Sequence, residues 1–147
     1  MGSSWISRGV TAAVIAGVTL LGTTPASAAS YWSSAASANA TSVGTVTEKK
    51  VTIGGRTFTI QLRVGKYGSH SYMWARAPKD SDAYGVLLIM QVYNASTRKW
   101  ESRHEFLNKK TAYTDAHRSV HKYGYKACAK DSGLGGAAPV CTGARWV

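Results

Sequence analysis

Four histidines, His70, His104, His117 and His121, are the residues of this 147-residue chain most suited to acid–base or metal chemistry. His117 and His121 stand four apart, which puts both on one face of either a helix or a strand. Asp115, or the acidic pair Glu101 and Glu105, could complete a ligand set, but no His-Glu-x-x-His pattern accompanies them. Arg118 and Lys122 follow the two histidines directly, and their charge opposes a bound cation. The histidines are therefore read as solvated members of a basic face, with no metal and no other cofactor expected. A second grouping, Glu101-Ser102-Arg103-His104-Glu105, supplies the general acid, general base and phosphate clamp of a small secreted nuclease. On a strand, however, Glu101, Arg103 and Glu105 share one face while His104 points to the other. That arrangement predicts a solvated ladder of charges rather than a convergent site. No Gly-x-Ser-x-Gly elbow occurs, and Gly133, Gly135 and Gly136 precede no helical pattern that could make a phosphate loop.

Mixtures of basic and ring residues point instead to binding. They occur as Lys66-Tyr67 with His70-Ser71-Tyr72, as Arg98-Lys99-Trp100, and from Arg118 to Lys126 with Lys122, Tyr123 and Tyr125. Such patches stack on sugars or bases and neutralise anionic groups. The charge balance agrees: 18 Lys and Arg against 7 Asp and Glu leave a net charge of +11. A field of that sign favours an anionic cell-wall polymer, a glycan or nucleic acid, although it also serves solubility. Eight Tyr and five Trp against two Phe suit half-buried sheet faces better than a deep apolar core.

The elements that must carry these residues follow a secretory pattern. Arg8 is the one charge before an apolar run from Val10 to Leu21, and Pro25 with Ala26-Ser27-Ala28 supplies a processing signal. The run is shorter than the about 20 residues needed to span a bilayer. Residues 1–28 are thus expected to be a cleaved signal peptide, residues 29–42 a flexible Ser/Ala-rich leader, and residues 43–147 a secreted domain, monomeric and without a transmembrane segment.

From Val43 onward the side chains alternate. Val51 and Ile53, then Gly54-Gly55, then Phe58, Ile60, Leu62 and Val64 predict a hairpin, because its turn needs positive φ. Ser71–Arg76 and Lys99–Phe106 read as further strands, and Val86–Tyr93 as a central strand buried on both faces. Tyr113–Val120 fits a short strand or a helical turn. Tyr123–Ala129 and Val140–Trp146 read as a closing pair. The only cysteines, Cys128 and Cys141, are expected to bridge that pair. About seven short strands and little helix predict an all-β fold, an antiparallel sandwich or small barrel.

Three stretches, Ile60-Gln61-Leu62-Arg63, Tyr72-Met73-Trp74-Ala75-Arg76 and Tyr125-Lys126-Ala127-Cys128 with Cys141, carry a resemblance. Together with the Ala-rich amino terminus they resemble small exported proteins of actinobacteria, over about Thr57 to Trp146. The resemblance implies a secreted β domain and brings no catalytic residue. Some such proteins have a further cysteine between the first two motifs; this chain has none there. The expectation drawn from the residues is a binding protein for an anionic or glycan surface, with charge from Lys66, Arg98, Lys99, Arg118 and Lys122. Tyr72, Trp100, Tyr123 and Tyr125 supply its stacking faces. A small hydrolase using Glu101, His104 and Glu105, and an extracellular or antagonistic protein-binding role, are the alternatives.

Overall fold

The computed structural model describes residues 30–78, 85–108, 110–133 and 137–147. The expected signal peptide and its cut after Ala28 lie outside the described residues. Within them the chain forms two antiparallel sheets laid face to face, so the sandwich holds and the barrel does not. The strands are β1 (Trp32–Ser33), β2 (Thr41–Ile53), β3 (Arg56–Tyr67), β4 (His70–Ala77), β5 (Val86–Asn94), β6 (Lys99–Phe106), β7 (Ala112–Tyr113), β8 (Ala116–Arg118), β9 (Gly124–Asp131), β10 (Val140–Cys141) and β11 (Arg145–Trp146), and α1 (Ser34–Asn39) is a single short helix. The first sheet runs β1-β8-β4-β3-β2 with β7 on β4; the second runs β10-β9-β5-β6 with β11 on β9.

Alternation builds the core. Phe58, Ile60 and Leu62 of β3 and Met73, Ala75 and Ala77 of β4 point inward against Val86, Leu88, Met90 and Val92 of β5 and Tyr125, Ala127 and Ala129 of β9. Each large aliphatic side chain removed from water here contributes about 1.5–3 kcal/mol. The β2–β3 hairpin turns where expected, with φ of +58° at Gly54 and +75° at Gly55. Tyr113–Val120 resolves to extended chain, as β7 and β8. Cys128 and Cys141 face each other in register and form the disulfide.

Two expectations are corrected. Val86–Tyr93 is central in its sheet but not buried on both sides: Leu87, Gln91 and Tyr93 are half-buried on the outer face, and Ile89 is the residue covered there. The stretch read as a flexible leader is built into the domain. Trp32–Ser33 pairs with His117 and Ala116 of β8, and Ser33 then caps α1, its hydroxyl accepting from the Ala36 amide at 3.1 Å. Alanine is the best intrinsic helix former, and Ala36 is small enough to bury completely against Trp74 and Ala116 on the outer face of the first sheet. Close approach also depends on Gly65, where an added Cβ would sit 2.9 Å from Ala40 Cβ and 3.0 Å from Trp74 Cη2. No helix of the described residues is long and apolar enough to cross a membrane.

Candidate functional site

The outer face of the second sheet is a surface of rings and cations, and the strand register constructs it. Tyr93 of β5 stands opposite Trp100 on one side and Gly124 on the other, and Gly124 in turn stands opposite Trp146 of β11. Trp100, Tyr93, Gly124 and Trp146 therefore form one straight row across four strands, a span of about 14 Å at the usual strand spacing. The Tyr93 ring meets Trp100 at 5.5 Å and Trp146 at 5.7 Å between centroids, edge to face in both cases. Gly124 lets the last ring settle: a Cβ there would fall 2.8 Å from Trp146 Cζ3. Both indoles stay open to solvent, Trp100 at 46% and Trp146 at 55% exposure.

Basic groups flank the row. Lys126 lies in the next rank, opposite Gln91, and its ammonium sits 4.3 Å from the centre of the Trp100 ring. Arg98 and Lys99 are exposed in the β5–β6 hairpin immediately before Trp100. That hairpin is pinned by Asn94, whose Oδ1 accepts from the Ser96 and Thr97 amides at 2.9 and 3.2 Å, and Arg98 takes the left-handed conformation at φ 54°. At the other end the Lys122 amide donates to the Val147 carbonyl, which places Lys122 beside the strand of Trp146. Further along the same face come His104 opposite Ile89 and Phe106 opposite Leu87. Phe106 is 56% exposed.

The nine residues expected to bind do not gather on one face. Arg98, Trp100 and Lys122 lie at the ring row, whereas Lys99, opposite Asn94, shares the parity of Glu101 and turns to the other face of β6. Lys66, Tyr72 and Arg118 belong to the other sheet, where Tyr72 stands opposite Arg118 and meets Tyr67 edge to face at 6.1 Å. Tyr123 and Tyr125 are corrected: both are buried in the core and offer no stacking face. The Tyr125 hydroxyl donates to the Arg118 carbonyl at 2.9 Å and accepts from the Val120 amide at 2.8 Å, and burial pushes its pKa up to about 12. Tyr123 donates to Asn94 Oδ1 at 2.9 Å. Their alternation with Lys122, Gly124 and Lys126 is the ordinary in-and-out of a strand, so the lysines face water while the rings face inward.

The acid–base grouping on β6 separates as the strand parity requires. Glu101, Arg103 and Glu105 stand opposite Val92, Met90 and Leu88, whereas His104 stands opposite Ile89 on the other face. Glu101 and His104 therefore do not meet, and the Glu101/His104/Glu105 site does not form. Among the described residues no three His, Cys, Asp or Glu side chains gather as a metal site. Tyr93 and Trp146 are the members of the ring row that sequence reasoning did not select. The signal for Tyr93 was its parity with Leu87 and Gln91, which assigns it to the outer face once β5 is known to have one.

Taken together, fold and site define an open antiparallel β-sandwich with a disulfide-braced sheet whose outer face carries solvent-open indoles among lysines and arginines. No protein-family model matches the chain, and no curated protein or solved structure matches it.

Proposed function

We propose that the protein is an extracellular binding protein whose ring row holds an anionic glycan polymer. The observation that carries this reading is the alignment of Trp100, Tyr93 and Trp146 across four strands with Lys126 against Trp100. The two exposed indoles of the row present hydrophobic surface to the C–H sides of sugars, and the flanking cations neutralise carboxylates or sulfates along the same polymer. The net charge of +11, to which the expected signal peptide contributes only Arg8, draws such a polyanion in. Export, inferred from the amino-terminal pattern and compatible with the disulfide, places the protein where such polymers occur.

Retention on immobilised heparin, an anionic glycan, tests the reading. Retention is expected at low salt and falls steeply as salt is added. Trp100→Ala weakens it about tenfold or more while the fold persists, because the ring is exposed. Absence of retention, retention indifferent to salt, or retention on single-stranded DNA but not on heparin would each overturn the proposal.

A further inference from the structure

The two sheets are left open along one side. There β6 of the second sheet faces β1 and β8 of the first across a cleft of about 600 Å³, lined by Tyr31, Trp32, Asn94, Glu101, Arg103 and His117. That volume falls in the range of about 300–1,000 Å³ usual for small-molecule sites. The cleft lies on the opposite side of β6 from the ring row: Glu101 and Arg103 turn toward it, Trp100 and His104 toward the row.

His117 is the unusual member. It is 1% exposed, yet it is a polar ring. Its ring meets Trp32 edge-on at 4.8 Å and stacks on Tyr123 at 5.9 Å. Its Nδ1 lies 2.7 Å from the Arg118 carbonyl oxygen. A carbonyl only accepts, so Nδ1 carries the proton and Nε2 of the neutral ring carries a lone pair. Nε2 has no hydrogen-bond partner among the described residues and is not one of their fully buried unpartnered atoms, so it stays within reach of a donor from the cleft. Glu101 is held in a similar half-used state. Its Oε1 accepts from Asn94 Nδ2 at 2.8 Å, and the Asn94 amide is itself fixed because its Oδ1 accepts from Tyr123 at 2.9 Å. The guanidinium of Arg103 lies 5.0 Å from the Trp32 ring, and that of Arg118 5.9 Å from the Tyr31 ring.

The chemistry of these groups selects a ligand. A cation would be repelled by Arg103, and an anion by Glu101. Two acceptors, Nε2 and the carboxylate, beside one donor, the Arg103 guanidinium, match groups that both donate and accept. Hydroxyls do so, and the aromatic walls suit the apolar faces of a ring that bears them. We propose that the cleft binds a neutral sugar residue, whose hydroxyls donate to His117 Nε2 and Glu101 and accept from Arg103. This site is separate from the ring row and does not depend on polymer binding there.

Nuclear magnetic resonance of the purified, ¹⁵N-labelled protein tests it, with three neutral trisaccharides as probes: chitotriose, cellotriose and mannotriose. At least one is expected to move the His117 Nε2 resonance in the direction of an accepted hydrogen bond, together with the Trp32 indole signal. Glu101→Gln and Arg103→Ala each weaken that binding tenfold or more, with the rest of the spectrum confirming the fold. Sodium sulfate and methylammonium chloride leave His117 unmoved. If no trisaccharide moves His117, if sulfate or methylammonium moves it as much, or if both variants bind unchanged, the proposal fails. Heparin binding is read separately on the Trp100 and Trp146 signals, so its loss would count against the ring row and leave the cleft standing.

Discussion

Trp146 rests against the backbone of Gly124, with three atoms of its indole within 3.1 Å of the place a Cβ would occupy. The relationship joins the penultimate residue of the chain to the start of β9 and sets the far end of the ring row. Gly124→Ala therefore pushes the indole away. The indole is the free end of a side chain that is 55% exposed, so it turns away with little loss of stability, and retention on heparin should fall. An alanine variant with wild-type retention would show that the ring is not seated there.

The His117 ring makes stability depend on pH. Burial is the largest influence and lowers its pKa below the ordinary 6.5; the hydrogen bond to the Arg118 carbonyl and the nearby Glu101 charge push back more weakly. In the unfolded chain the ring takes up its proton at the ordinary value, so across the window between the two pKa values the unfolded state binds more protons. The contribution is fully present above about 6.5, diminishes as pH falls toward the lowered folded value, and levels off below it. Titration of the His117 ring signals checks this directly, and a midpoint at or above 6.5 would contradict it.

Tyr125 serves the core rather than a ligand. Replacing it by Phe leaves the Val120 amide without its partner at 2.8 Å and removes the bond to the Arg118 carbonyl. A loss of about 1–3 kcal/mol in unfolding free energy is expected, with heparin retention unchanged. Retention lost without any loss of stability would restore Tyr125 as a contact residue.

Reducing the Cys128–Cys141 bridge, or replacing both cysteines by serine, opens a connection between residues 13 apart in sequence. The chain-entropy model gives about 3 kcal/mol for a loop of this order. The bridge braces β9 against β10 on the sheet that carries the ring row. Comparing urea midpoints of oxidised and reduced protein measures the effect, and equal midpoints would show the bridge to be dispensable.

Local chemistry in the sequence was enough to read the hairpin at Gly54-Gly55, the bridge between Cys128 and Cys141, and the division of β6 into two faces. These depend on turn geometry, the absence of competing thiols, and a period of two, all of which act within a few residues. Three things were hidden for different reasons. The segment from Trp32 to Asn39 packs through Ala36 onto Trp74 and Ala116, and small side chains leave no hydrophobic period to read. The ring row depends on which strand lies beside which: Trp100 and Trp146 become neighbours of Tyr93 only through the pairings of β5 with β6 and of β9 with β11. The cleft brings Glu101 together with His117, a histidine from the other sheet, whereas proximity in sequence suggested His104. Side-chain type was legible; long-range register was not.

Among the described residues β6 ends its sheet, so its outer backbone groups face no neighbouring strand within that sheet. A bare edge of eight residues is a template for another copy of the chain to add itself. Lys99, Glu101, Arg103, His104 and Glu105 crowd that edge with groups that resist losing their water. A variant with valines in place of Arg103 and Glu105 is therefore expected to assemble into fibrils at concentrations where the unaltered chain does not, which a fibril-binding dye would report.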